Sequence, residues 1–170
     1  MVKSFVVARE KNGMNEHEKY MALALKEAAK AARIGETPIG AVIVKEGKVV
    51  GRGYNRVESG NDPTLHAEMI AIRRAAAKLG VWRLIGCTMY VTVEPCSMCA
   101  GAAVLARLDA VVAGALSDKS GACGSVGDIL ESDSLNHRVE YIAGVLDREC
   151  SALLSDFFRG LRGKHGGEER

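Results

Sequence analysis

Apolar residues recur along this chain with two different periods, and the changes of period mark the predicted elements. A helical repeat of three to four residues runs over residues 15–35 and returns over residues 65–79. Between these helices, the stretches 39–44 and 49–54 are rich in residues that favour strands. Glu46-Gly47 lies between the two stretches and is typical of a hairpin turn, so we expect them to pair antiparallel.

The second predicted helix has clear boundary signals. Thr64 is placed to cap its start, and Gly80 is placed to end it. The stripe predicted to face the core consists of Leu65, Met69, Ile72, Ala76 and Leu79.

The second half of the chain continues the alternation of strands and helices. The pattern predicts strands at about 88–93, 110–115 and 138–143, and helices at about 97–108, 128–131 and 147–161. A strand–helix–strand unit favours parallel pairing, whereas the hairpin is antiparallel. We therefore expect an α/β fold in three layers, α/β/α, with a mixed sheet of about five strands.

Size and composition indicate a single domain. At 170 residues the chain can bury a core, and we expect one domain over residues 15–162, with a loose extension at 1–14 and a frayed tail at 163–170. No apolar run reaches membrane-spanning length, and the run at 5–8 is too short for a signal peptide, so we expect a cytoplasmic protein. The net charge of +2 leaves a local nucleic-acid-binding patch possible.

The cysteines point to metal binding or catalysis. There are five, without regular spacing, and structural disulfides are rare in a reducing compartment. Cys96 and Cys99 open the helix predicted at 97–108, where exposed amides favour thiolates. His66 begins the helix predicted at 65–79, and helices that follow parallel strands begin at the same edge of a sheet. These three side chains can therefore meet and hold zinc.

Glu68 gives the candidate zinc site a catalytic character. A carboxylate beside the metal, but not bound to it, can move a proton from water to a substrate nitrogen. Taken singly, each part has a simpler explanation: a histidine at a helix start is usually a cap or a surface residue, and a glutamate there usually serves the helix dipole. The combination His-x-Glu, about thirty residues, then Pro-Cys-x-x-Cys is the signature of zinc nucleobase deaminases.

The similarity extends well beyond this signature, from about His17 to Arg162. The chain resembles the bacterial tRNA-specific adenosine deaminases of the zinc-dependent cytidine and deoxycytidylate deaminase superfamily. The stretches that carry the resemblance are residues 35–42, 61–69, 93–102, 136–140 and 150–159.

The resemblance implies a cytidine-deaminase-like fold and a defined reaction. His66, Cys96 and Cys99 would hold one Zn²⁺ per subunit, and Glu68 would carry protons. Water would attack C6 of the wobble adenosine in a tRNA anticodon, giving inosine and releasing ammonia. The implied partners are the tRNA anticodon stem-loop and a second copy of the chain in a homodimer, with no membrane partner.

Five further residues match substrate-binding positions of the family. Asn55 would hydrogen-bond the flipped base, and the family's anticodon-loop surface is represented by Lys119, Asn136, Phe158 and Arg159. Simpler explanations exist for these residues too. Asn55 can be a turn residue, Phe158 can pack its helix on the core, and Arg159 can complement a helix dipole.

Ser117 departs from the family pattern, in which aspartate is usual, and this keeps a rival activity open. A serine can bond a hydroxyl group but lacks the charge, so substrate preference near the target base can differ. The rival is a deaminase of a free base or nucleotide (guanine, cytosine or deoxycytidylate) with the same zinc mechanism. A non-catalytic zinc module would have no use for Glu68, and a thiol–disulfide enzyme would leave His66 unexplained.

Overall fold

The computed structural model describes residues 15–165 as one chain of alternating helices and strands. The predicted N-terminal extension and the end of the predicted tail lie outside the described residues. The elements in chain order are α1 (Glu16–Arg33), β1 (Gly40–Lys45), β2 (Lys48–Tyr54), α2 (Val57–Gly60), α3 (Ala67–Leu79), β3 (Cys87–Val93), α4 (Ser97–Leu105), β4 (Ala110–Ala115), β5 (Glu140–Ile142) and α5 (Asp147–His165).

The strands form one mixed sheet of five, as the sequence predicts. Their order is β2-β1-β3-β4-β5, and β1 is antiparallel to both of its neighbours, whereas β3, β4 and β5 are parallel. The hairpin between β1 and β2 turns at Glu46 and Gly47, both with positive φ. Because β2 and β3 both oppose β1, they run in the same direction. Their carboxyl ends therefore lie at the same edge of the sheet.

Helices cover both faces of the sheet, which confirms the three layers. On one face, α1 packs Tyr20, Met21 and Ala24 against the sheet beside Cys150 of α5. On the other face of the sheet, α3 and α4 bury alanines in a second hydrophobic cluster. No helix within residues 15–165 is long and apolar enough to cross a lipid bilayer.

The contact between α3 and β2 is close because both surfaces are made of very small residues. A Cβ added at Gly51 would lie 2.3 Å from the carbonyl oxygen of Ala71, and one at Gly53 would lie 2.1 Å from that of Ala67. The fully buried stripe of α3 is accordingly Ala67, Ala71 and Ala75. Of the predicted stripe, Ile72, Ala76 and Leu79 pack against the core as expected, although each stays partly exposed, and Leu65 and Met69 are also only partly buried.

The outer edge of the sheet at β2 is covered by side chains of α3. Arg74 donates from Nη1 to the carbonyl oxygen of Arg52 at 3.0 Å, and Lys78 donates from Nζ to that of Val49 at 3.1 Å. Unpaired backbone groups on an edge strand are a template for pairing with another chain. These two cations occupy acceptors that would otherwise be available.

One predicted helix is absent. Residues 128–131 form a turn in which Asp128 bridges to Cys123 and accepts, at Oδ1, a hydrogen bond from the backbone N–H of Glu131. The glycines on either side of Cys123 favour this irregular path over a helix. The last helix continues to His165, beyond the predicted end near residue 161.

Candidate active site

His66 is delivered to the sheet edge as the N-cap of α3. Its backbone is extended (φ −71°, ψ 152°), and the helix begins at Ala67, two residues later than predicted. The prediction that Thr64 caps the helix was wrong, because its N–H and hydroxyl both donate to Oδ1 of Asp62. This short turn leaves the imidazole outside the helix, at the end of the chain segment that follows β2.

The two cysteines stand at the equivalent position of α4, after β3. Cys96 is the N-cap, again with an extended backbone (φ −73°, ψ 175°), and Cys99 lies fully buried in the first turn. Since β2 and β3 are parallel, the starts of α3 and α4 meet at one edge. The predicted meeting of His66 with Cys96 and Cys99, thirty positions later in the sequence, is confirmed.

The three side chains have the spacing of a zinc site. The Nδ1 atom of His66 lies 3.7 Å from Sγ of Cys96 and 3.5 Å from Sγ of Cys99, and the three ligand atoms are all within 4.8 Å of one another. Tetrahedral zinc with ordinary Zn–N and Zn–S bonds holds a nitrogen and a sulfur about 3.6 Å apart. The donor set therefore fits zinc with three protein ligands, which leaves a fourth position for water.

Hydrogen bonds within this group favour the ligand form of Cys96. The bonds from Cys99 and His66 lower the pKa of the Cys96 thiol to about 3. The same contact with Cys96 raises the pKa of His66, and the bond to Cys96, with burial, raises the pKa of Cys99. In the metal-free group, protons are thus held by His66 and Cys99 rather than by Cys96, and metal binding releases them.

Glu68 lies in the first turn of α3, buried beside the ligand group. Only 3 % of the residue is exposed, and its Oε2 atom has no hydrogen-bond partner among the described residues. Burial raises the pKa of its carboxyl group, against the opposing effect of His66. A buried carboxyl oxygen without a partner is costly in a purely structural role. Its position suits it to exchange protons with a molecule that enters the site.

Asn55 is buried where β2 ends, and a neighbouring carboxylate orients its side chain. Its Nδ2 donates to Oε2 of Glu36 at 3.4 Å, and Glu36 also accepts the backbone N–H of Ser59 at 2.6 Å. Although burial opposes it, this bonding with Ser59 lowers the pKa of Glu36. The role of Glu36 could not be predicted from the sequence, because a glutamate before Thr-Pro carries no signal of burial.

The predicted RNA-facing residues lie on the surface of the protein. Lys119 is exposed, and Phe158 is 43 % exposed with its ring packed edge-to-face on Phe157. Arg159 pairs with Asp156 on the surface of α5, at 3.3 Å.

Asn136 is bound by Arg107, whose Nη1 donates both to the backbone carbonyl oxygen of Asn136 (3.2 Å) and to its Oδ1 (2.9 Å). Across residues 15–162, no hydrogen bond or ion pair joins the four predicted RNA contacts to the ligand group or to Glu68.

Sequence relatives match most of the chain. The family model for the zinc-binding region of cytidine and deoxycytidylate deaminases matches residues 14–115. A tRNA-specific adenosine deaminase from Bacillus subtilis is 48 % identical over 151 residues, covering 89 % of this chain and 94 % of the relative. The protein of the same name from Aquifex aeolicus is 48 % identical over 145 residues, covering 85 % and 95 %.

Solved structures agree with the sequence relatives. A chain from a study of A-to-I editing by tRNA:A34 deaminases at the wobble position superposes with a TM-score of 0.77 and 40 % identity, covering 80 % of this chain and 99 % of that one. A guanine deaminase from Nitrosomonas europaea shares the fold, with a TM-score of 0.73 at 24 % identity, over 82 % of this chain and 83 % of that one. The chain is thus a member of the zinc-binding cytidine and deoxycytidylate deaminase family, in the group of the tRNA-specific adenosine deaminases.

Proposed function

We propose that this protein converts the wobble adenosine of a tRNA anticodon to inosine by hydrolysis, with release of ammonia. The observation that carries the proposal is the buried carboxyl of Glu68 beside a three-ligand zinc set. The names of the relatives at 46–48 % identity support tRNA adenosine as the substrate.

Each residue of the site has a distinct task in this reaction. His66, Cys96 and Cys99 would hold the zinc, which when bound would act as a Lewis acid that lowers the pKa of water. Glu68 accepts a proton from the attacking water and passes it to N1 of adenine while C6 is attacked. Glu68 then takes the remaining proton from the oxygen now bonded to C6 and delivers it to the amino group, which leaves as ammonia as the C6–N bond breaks. Water and adenosine thus become inosine and ammonia.

Asn55 and the exposed residues would bind the RNA. A base in an anticodon loop can be splayed out of its stack and read by hydrogen bonds, and the amide of Asn55 suits this because Glu36 fixes its orientation. Lys119 and Arg159 offer cations to phosphates, Phe158 offers a stacking surface, and Asn136 offers an amide. Their exposure on the surface supports this assignment.

We further propose that two copies associate through an apolar patch on the α3–α4 side. Trp82, Ile85 and Leu105 are 62 %, 60 % and 71 % exposed. The backbone N–H of Leu84 donates to the carbonyl of Ala106 at 2.6 Å, so the loop and the helix end that carry these residues are neighbours. Exposed apolar patches usually mark an interface, and a second copy offers the same surface.

A tRNA-editing dimer is expected in the cytoplasm, where its substrate is used.

The first experiment compares substrates directly. Purified zinc-loaded protein is incubated separately with a tRNA whose anticodon begins with adenosine and with free adenosine, guanine, cytosine and deoxycytidylate, and the products are identified by mass spectrometry. Inosine confined to the tRNA is the expected result. Conversion of a free base or nucleotide with the tRNA unchanged would refute the proposal and would indicate that the loop containing Ser117 sets a different substrate specificity.

Association is tested by light scattering after size exclusion. We expect Leu105→Glu to convert a dimer to a monomer, while Val126→Glu, at a residue that is 64 % exposed in another loop, leaves the mass unchanged. A dimer that survives Leu105→Glu would place the interface elsewhere.

A further inference from the structure

The carboxylate of Glu94 binds four donors from one loop, and this network lies two residues before the zinc ligand Cys96. We define the substrate loop as residues 117–125. Oε1 of Glu94 accepts the backbone N–H of Cys123 at 3.0 Å and that of Ser125 at 3.1 Å. Oε2 accepts the N–H of Ser117 at 3.1 Å and a short hydrogen bond from the Ser125 hydroxyl.

The network is buried and contains no cation. Glu94 is only 3 % exposed, and within residues 15–162 no lysine or arginine pairs with it. Gly121 covers the carboxylate so closely that an added Cβ would lie 2.3 Å from Oε2. Backbone N–H groups therefore provide most of the compensation for this buried charge, and charge-assisted bonds of this kind are the stronger ones.

A second link joins the same loop to the metal-binding segment. The carbonyl of Pro95 accepts the N–H of Ala122 at 2.9 Å, and the thiol of Cys123 lies against the same oxygen at 3.8 Å. The backbone of Glu94 itself donates to the carbonyl of Ala115, in β4, at 2.8 Å. Two consecutive residues before Cys96 thus hold both ends and the middle of the substrate loop.

We propose that Glu94 is a positioning residue, which fixes the substrate loop beside the zinc ligands and so sets how tightly the enzyme holds the nucleotides around the target base. The proposal rests on the proposed function. Ser117, where the family usually has aspartate, is attached through this network: its N–H is bound by Glu94, and its hydroxyl pairs with Ser120 at 3.0 Å. Lys119 lies between these two serines, so its presentation to RNA depends on the same attachment.

The test replaces Glu94 by glutamine, which keeps the shape but turns an amide NH₂ toward N–H donors. Hydrogen–deuterium exchange of the zinc-loaded protein should become faster in peptides covering residues 117–125, and zinc content should stay at one per chain. With an anticodon stem-loop as substrate, we expect KM to rise about tenfold with kcat changed less than threefold, because binding rather than chemistry is weakened. The matched control is Glu27→Gln, whose carboxylate is equally buried but pairs with Lys30 and Arg52.

Two further variants keep the proposal testable if Glu94→Gln does not fold. Gly121→Ala pushes the loop from the other side and should reproduce the faster exchange and the higher KM, whereas Ser125→Ala removes one donor and should have a smaller effect of the same kind. Unchanged exchange at 117–125 in Gly121→Ala and Glu94→Gln would overturn the proposal, as would a loss of zinc with a fall in kcat alone. Exchange is measured without substrate, so a wild-type enzyme inactive on tRNA would refute the proposed function and leave this readout to decide the role of Glu94.

Discussion

We expect Gly53→Ala, in β2, to weaken zinc binding by displacing the start of α3, where His66 lies. The added Cβ would lie 2.1 Å from the carbonyl oxygen of Ala67, and such contacts are essentially never shorter than 3.0 Å, so the start of α3 must retreat by about 0.9 Å (3.0 − 2.1). His66 precedes Ala67 directly and moves with it, whereas metal–ligand distances tolerate only about ±0.2 Å. Gly53 does not have a positive φ, so the cost is steric rather than a backbone penalty.

The size of the effect follows from the same displacement. Overpacking of this kind costs about 1–3 kcal/mol, and each kcal/mol lowers the melting temperature of a chain of this length by about 2–4 °C. Misplacement of a ligand should weaken zinc binding at least about tenfold, as supporting residues of metal sites do. The assays are thermal unfolding of the metal-free protein and competition with a chelator.

The matched control is the same substitution where there is space. A Cβ at Gly160, in α5, meets nothing within 4 Å, so Gly160→Ala should stabilise the helix by about 0.5–1 kcal/mol and leave zinc binding unchanged. If Gly53→Ala had the same melting temperature as Gly160→Ala and kept its zinc affinity, the close approach of α3 to β2 would not be what positions His66.

Three other outcomes follow from the site and the core. Glu68→Gln should lower turnover about a thousandfold or more, measured as inosine formation, while metal analysis still finds one zinc per chain. Loss of zinc in this variant would contradict a purely proton-carrying role. Removing zinc with a chelator should lower the melting temperature and abolish activity, and adding zinc back should restore both; a metal-free protein as stable as the loaded one would show that the three ligands do not bind it in the folded state. Burial raises the pKa of Tyr90 to about 12 from 10.0, so the stability it contributes is complete below about pH 10 and is lost as the pH rises toward 12. Urea unfolding across this range should therefore show a smaller alkaline loss for Tyr90→Phe, and equal losses in both proteins would contradict the cause.

The elements were predictable where local pattern and tertiary packing agree. The capping box of α1, in which the side chain of Asn15 binds the N–H of Glu18 and that of Glu18 returns the bond, lies where the helical period begins. The hairpin turn at Glu46-Gly47 follows from Gly47, which accepts positive φ without strain, and it holds Glu46 at a positive φ that glutamate rarely adopts. The meeting of His66 with Cys96 follows from topology, once β2 and β3 are known to run in the same direction.

The errors arose where neighbours in space decide the outcome. A period of apolar residues does not show that β2 presents glycines to α3, so the fully buried positions of Ala67, Ala71 and Ala75 were missed. Thr64 has the composition of a cap, but Asp62, two residues earlier, competes for its donors. The burial of Glu36 and Glu94 depends on N–H groups that are 23 to 31 residues away, a relation that no local pattern contains.

The covered edge at β2 restricts how this molecule can grow into an assembly. Arg74 and Lys78 bind the outward carbonyls of Arg52 and Val49, so an incoming strand would have to displace two cations before it gained its own hydrogen bonds. A continuous intermolecular sheet is therefore disfavoured on this side. At the β2 edge, copies can associate through side-chain surfaces, which can close a pair and stop, more easily than through backbone ladders, which can extend without limit into fibres.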